Sequence, residues 1–310
     1  AQTMLSYPLP SDDLWKARFL LYRIQMAEQV AWRYPALMNA NEVVSQAGSS
    51  PEDWTQKQWN EQIDKDYQTL WALRAFLINA SVERETFILT VQDTDTRRIP
   101  TLFDLVVQNW VSRLQTQNAP VPLARDKATV YLDGAAKVFP AKQAQADLLA
   151  DILETAYLLD GKGRKDAKMF WRTDYVLLPF DNPTLFTLDN PEKARQNAVE
   201  QLALISGYTP QKMGFWNKLK KYVAPDGAEY GRAYAAYRAA LLLNDNDDPE
   251  NALKICEYAA EKLGESYYVS LCAQLAGQIT QNQLSFRPLP EAFNPQNTRL
   301  SFSVRNAGDI

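Results

Sequence analysis

The chain has no histidine among its 310 residues. That absence removes Ser-His-Asp and Cys-His nucleophilic sites and histidine-ligated zinc. It also removes the commonest general base, leaving carboxylate or lysine chemistry as the routes to catalysis. Glycine is scarce, with 11 residues, fewer than sheet-rich and nucleotide-binding folds usually need for their turns, so the composition leans helical. Cysteine occurs twice, as Cys256 and Cys272, with no second cysteine or histidine beside either for metal or redox duty. No apolar run approaches the ~20 residues that a membrane-spanning helix requires. Ala1-Gln2-Thr3 opens no basic segment followed by an apolar stretch; a leader is either absent or already removed.

What is present fits a soluble globular chain with a real core, as one large domain or two moderate ones. The formal charge of −4 argues against a nucleic-acid backbone as partner. The charged run Asp160-Gly161-Lys162-Gly163-Arg164-Lys165-Asp166 reads as a solvated loop. It lacks the spacing and the hydroxyl of a phosphate-cradling loop.

Helical periodicity dominates the pattern. Ser11-Asp12-Asp13 starts a helix, with Ser11 as cap and Leu14, Ala17, Leu21 and Ile24 forming one apolar stripe up to Pro35. Ser50-Pro51-Glu52-Asp53 reads as the next start, opening a helix to about Ile78 that carries Trp54, Trp59, Ile63, Tyr67, Leu70, Trp71 and Leu77. Those aromatics are either a sugar-binding platform or core, and their helical spacing favours core. Thr101 caps a helix with Phe103, Val106, Trp110 and Leu114 inward. Residues 116–122 form a proline-bearing linker, placing a possible subdomain break near 116–140. Helix resumes from Ala141 to Leu159, from Asn190 to Ser206 before Gly207, and over 229–243. Tyr175 to Phe180 is either a buried helix end or a short extended segment. Asp248-Pro249-Glu250 caps a further helix, and Gly264 separates it from a third over 266–280; small residues at three- and four-residue intervals suit a closely packed, partly tetratricopeptide-like hairpin. Pro288, Pro290 and Pro295 then precede an alternating run at Leu300-Ser301-Phe302-Ser303-Val304, the two-residue period of a strand.

The fold expected is therefore all-α: a multi-helix array of antiparallel hairpins over residues 1–285, followed by a proline-rich spacer and strand over 286–310. Almost no sheet is expected before residue 286, and the strand within 299–310 is expected to lack a partner in this chain. Cys256 and Cys272 fall on consecutive helices, so they either form a disulfide in an oxidising compartment or pack as two small buried residues. Asp93 and Asp95 share one turn. Asn244-Asp245-Asn246-Asp247-Asp248 resembles the opening of a calcium loop but lacks its central glycine and its closing glutamate, so a helix-capping turn is the better reading. Asn79-Ala80-Ser81 fits a glycosylation sequon. No catalytic, cofactor-binding or metal-ligating residue emerges, and no cofactor is implied.

From Ala233 to Ile310 the chain resembles the N-terminal helical region of large bacterial alpha-2-macroglobulin-family proteins. The likeness lies in Ala252-Leu253-Lys254-Ile255-Cys256, Gly264-Glu265-Ser266, Leu271-Cys272, Gln278-Ile279 and Arg299 to Asn306, with Arg305-Asn306 at the place of the family's Arg-Asn pair. Ile99-Pro100-Thr101-Leu102-Phe103-Asp104 is similar to a second family landmark. The resemblance implies a cell-envelope, extracytoplasmic, protease-trapping protein whose β-domains follow. Neither cysteine fits the family's Cys-x-Glu-Gln thioester: Cys256 is followed by Glu-Tyr-Ala and Cys272 by Ala-Gln-Leu. The leading expectation is thus a non-enzymatic scaffold with protein partners and no nucleic acid or membrane-spanning segment. A free-standing peptide-binding helical-repeat module using exposed tyrosines is the second reading, and a carboxylate-dependent enzyme acting on polysaccharide the third.

Overall fold

The structure, a computed structural model, describes residues 2–34, 51–85, 95–116, 131–208, 226–281, 283–286 and 302–305. It is mostly helical, as the periodicity and the scarcity of glycine imply. The helices are α1 (Gln2–Ser6), α2 (Asp13–Arg33), α3 (Gln56–Ala72), α4 (Arg74–Leu77), α5 (Leu102–Thr116), α6 (Gln143–Leu158), α7 (Lys165–Asp181), α8 (Pro191–Ser206), α9 (Glu229–Asn244), α10 (Pro249–Lys262) and α11 (Tyr267–Thr280). Neighbours in sequence are neighbours in space along most of the array: α2 packs on α3, α3 on α5, α5 on α6, and so on to α11.

Local chemistry explains most of the boundaries. Asn190 accepts from Lys193 N at 3.0 Å ahead of Pro191, and Gly207 ends α8 in the left-handed region at φ 82. Asp248 accepts from Asn251 N ahead of Pro249, and Ser266 from Val269 N. Two starts differ from the sequence reading. The cap of α2 is Asp12, which accepts from Trp15 N at 2.9 Å, not Ser11. Pro51–Asp53 forms only a 3-10 turn, and α3 starts at Gln56, where Thr55 and Gln58 satisfy each other's backbone N–H groups. That reciprocal box supplies two acceptors to orphan donors, against one from a serine ahead of proline. The helix also breaks at Leu73 rather than running unbroken to Ile78. Tyr175 to Phe180 is helical; Pro179 sits in the last turn of α7, and Asn182 N closes that turn onto Leu178 O at 3.1 Å.

Sheet is scarce before residue 286, as expected, and the described residues form two short antiparallel pairs. β1 (Ala136–Val138) pairs antiparallel with β2 (Phe186–Leu188) in the register Ala136↔Leu188. β3 (Gln283–Phe286) pairs antiparallel with β4 (Phe302–Arg305), placing Leu284 opposite Val304 and Phe286 opposite Phe302. The alternating strand therefore has a partner in its own chain. Gln283–Phe286 is too short, and too close behind α11, to announce itself by period. The linker from residue 117 onward, the prolines at 288, 290 and 295, and Asn306 lie outside the described residues.

One connected buried cluster runs from Ala17 on α2 to Ile279 on α11. Its centre in the second half is α9, apolar on nearly every side, with Ala233, Ala235, Ala236, Ala239 and Ala240 fully buried against α7, α8, α10 and α11. Alanine is the residue that lets four helices approach a fifth. The approach is closest at Gly231, where a Cβ would lie 2.5 Å from the Asp166 carbonyl oxygen and 2.7 Å from Met169 Cβ on α7. In the first half the aromatics at helical spacing are core: Trp59, Tyr67 and Trp71 are buried, and Tyr67 stacks on Trp110 at 5.3 Å.

Candidate functional site

The charged run at 160–166 is not a solvated loop throughout. Arg164 is fully buried, its guanidinium held by Asp104 at 2.7 and 3.0 Å and by the α6 carbonyls of Ala156 at 2.9 Å and Leu159 at 2.6 Å. Asp104 is equally buried and also accepts from Trp171 Nε1 at 2.8 Å and Thr101 Oγ1 at 2.7 Å. A carboxylate and two backbone carbonyls take the place of the water around Arg164, so the cation can be buried, which is why the local charge pattern misleads. Thr101 and Asp104, read from sequence as a helix start, are also the anchor of this network.

Two further ionic clusters join helices. Arg23 forms a two-pronged pair with Asp66 at 2.6 and 2.7 Å between α2 and α3. Arg113 on α5 meets Asp64 at 3.2 Å and Glu28 at 3.6 Å. Asp95 accepts from the backbone N–H groups of Arg97 and Arg98 and from Tyr230 Oη at 3.0 Å; Asp93 lies outside the described residues. Asp248 in the 244–248 turn serves as the α10 cap, in keeping with a capping turn. Among the described residues no group of three or more metal-capable side chains converges, and no helix is long and apolar enough to cross a membrane.

The densest constellation gathers where segment 95–98, α7, α9 and α11 meet. Tyr268 lies 5.0–5.5 Å from the rings of Phe170, Tyr230, Tyr234 and Tyr267. Arg98 stacks on Phe170, Trp171 and Tyr234 and donates to Asp174 at 2.9 Å. Tyr234 donates to the other Asp174 oxygen at 2.8 Å, and Arg238 bridges Tyr234 Oη and Asp181. Arg97 covers Tyr230 at 4.8 Å. Burial is the first cause raising the pKa of Tyr230, Tyr234 and Tyr268, so these phenols keep their protons well past neutrality. A cleft of about 490 Å³ opens beside Asp174, Arg238 and Asn182. A second of about 1020 Å³, reached by Arg97 and Lys162, also contains the sequon residues Asn79 to Ser81. With Arg98 and Arg238 paired to Asp174 and Asp181 and the phenols protonated, the cluster offers aromatic faces and hydrogen-bond donors, which is recognition chemistry more than proton transfer.

The sequence shows a helix over 229–243 rich in Ala and Tyr, but it does not single out Arg98, Asp174 or Arg238. Cys256 and Cys272 lie where the hairpin reading put them, buried on adjacent helices.

The buried carboxylates give a pH prediction. Glu28, Asp64, Asp66, Asp166 and Asp174 all have raised pKa values, with burial as the first cause in each. The folded chain therefore binds protons more tightly than the unfolded one. The resulting stabilisation is complete below the ordinary carboxylate range near ~4 and is lost as pH rises through the raised native values. Urea midpoints at constant ionic strength are expected to rise from pH 7 to pH 5, with a shallower rise in Asp174→Asn. A midpoint that falls over that interval contradicts the assignment.

Comparison with family models, with curated proteins and with solved structures gives no match.

Proposed function

We propose that this chain is a non-catalytic, extracytoplasmic helical scaffold that precedes the macroglobulin-like domains of a cell-envelope protease-trapping protein. The observation that supports the reading is the order of elements at the junction: the α10–α11 hairpin leads within three residues of Thr280 into β3, which pairs with β4 across the proline-bearing segment. A scaffold of this kind needs stiffness, and its ionizable groups fit that need. Arg23, Arg98, Arg113 and Arg164 each tie together separate elements. Its partners on this reading are the β-domains of the same polypeptide and envelope proteins or proteases.

A peptide-binding helical-repeat module is the second reading, favoured by Tyr267, which is 62% exposed at the edge of the tyrosine cluster. The two readings separate in fractionated source cells blotted with antibodies raised against residues 1–285. The scaffold reading expects a band much larger than a 310-residue chain, in the envelope fraction. A band of 310-residue size in the cytosol overturns it, and one of that size in the envelope favours the repeat module. The isolated 310-residue chain is expected to leave subtilisin cleavage of a large protein substrate unchanged.

A further inference from the structure

We propose that Cys256 and Cys272 form an intramolecular disulfide that staples the α10–α11 hairpin. The proposal is independent of the scaffold reading and stands on the geometry of the hairpin itself. Cys256 lies six residues before the end of α10, and Cys272 five residues after the start of α11. In two helices that reverse through a short turn at Gly264, those positions sit at the same height, roughly 8 Å from the connection. Both side chains are buried, at 3% and 0% exposure, on helices that pack against each other. Ala252 and Ala259, one turn to either side of Cys256, are fully buried, so nothing bulky holds the two backbones apart there. Disulfide geometry requires such an approach, with Cα atoms about 4.4–6.8 Å apart and Cβ atoms facing each other.

The pair is also chemically unequal. The nearness of Cys272 lowers the pKa of Cys256, while the nearness of Cys256 raises that of Cys272. Cys256 is thus the thiol that loses its proton first and attacks. The oxidant is a small disulfide such as oxidised glutathione, or the disulfide of an oxidoreductase, met while the hairpin is forming. The Cys256 thiolate attacks one sulfur of that disulfide, breaking its S–S bond and releasing one thiol, and the mixed disulfide results. Cys272, deprotonated in turn, attacks Sγ of Cys256 and expels the second thiol. The chain loses two electrons and two protons, and the oxidant takes up both. The link closes the turn between the helices and removes conformations from the unfolded chain. It also fixes the hairpin against α9, which packs on both of its helices.

The test uses the full 310-residue chain, unfolded in denaturant with reductant and then refolded in glutathione buffers of graded redox ratio, so that burial does not limit access. Free thiols are trapped by alkylation and digests are read by mass spectrometry. The expected product is a monomer with no alkylated cysteine and a Cys256–Cys272 cross-linked peptide pair. The bridge is expected to close more than about tenfold more favourably than an unconstrained dithiol peptide of the same spacing. The oxidised chain is expected to unfold at higher urea than the same chain reduced, and Cys272→Ser to abolish the linked peptide. Two alkylated thiols in every buffer, glutathione adducts without the cross-link, or a bridged form that unfolds at lower urea than the dithiol would each overturn the proposal and leave two small side chains packing at a helix contact.

Discussion

Asp104→Ala is expected to lower the unfolding free energy by about 3–5 kcal/mol, the usual result of stripping one partner from a fully buried ion pair. Asp104 and Arg164 are both 0% exposed. Without the carboxylate, Arg164 keeps only the Ala156 and Leu159 carbonyls for a full positive charge, and Trp171 Nε1 and Thr101 Oγ1 lose their acceptor. The damage spans three elements, because the network joins the start of α5, the end of α6 and the entry to α7. A double replacement, Asp104→Leu with Arg164→Met, leaves no buried charge and is expected to recover much of the loss, since apolar groups of similar volume often match or exceed a buried ion pair. Urea denaturation of Asp104→Leu, Arg164→Met and the double reads the whole cycle. A loss below about 1 kcal/mol for Asp104→Ala, the size of an ordinary surface change, would show that water reaches the pair.

Trp110→Ala is expected to cost a comparable ~3–5 kcal/mol by opening a cavity in the first-half core. Trp110 is 1% exposed, lies nearly parallel to Tyr67 at an interplanar angle of 3°, and meets Trp71 edge-on at 5.6 Å. Trp110→Phe separates shape from polarity. The buried indole Nε1 has no hydrogen-bond partner among the described residues, so phenylalanine removes an unsatisfied donor together with part of the ring. Its loss should come out well under half that of alanine, read as urea midpoints at equal slope. Equal losses for the two variants would mean that the indole nitrogen is satisfied in solution.

Elements governed by neighbours a few residues away were legible in the sequence. Asn190-Pro191, Asp248-Pro249 and Ser266 each mark a helix start, and Gly207 and Gly264 each follow an end, because capping is settled within one turn of chain. The sequence reading placed two starts at Ser11 and Ser50-Pro51, where the structure uses Asp12 and Thr55, one and a few residues further on. Of the tyrosine–arginine cluster, only the tyrosine-rich composition of 229–243 was legible in the sequence. Its ties run from Arg98 to Asp174 and from Asp174 to Tyr234, residues 76 and 60 apart, and no period in the sequence links them. Arg164 misled for the same reason: its flanking charges are exposed, and the partner that draws it inward lies 60 residues earlier. The β3–β4 pairing was invisible because four residues are too few to define an alternation.

The small β1–β2 sheet has a consequence for the order in which the chain assembles. Its strands are separated by the whole of α6 and α7, so pairing Ala136 with Leu188 closes a long loop for only three residue pairs. Six short strand residues cannot offset that closure entropy unaided. The α6–α7 hairpin can form first, since its two helices turn back through a short connection and contact each other along their length. Once it has formed, the distant ends are already side by side, and the sheet closes on a loop whose entropy has been lost. The strands are therefore expected to pair late in folding, once the α6–α7 hairpin has brought their ends together.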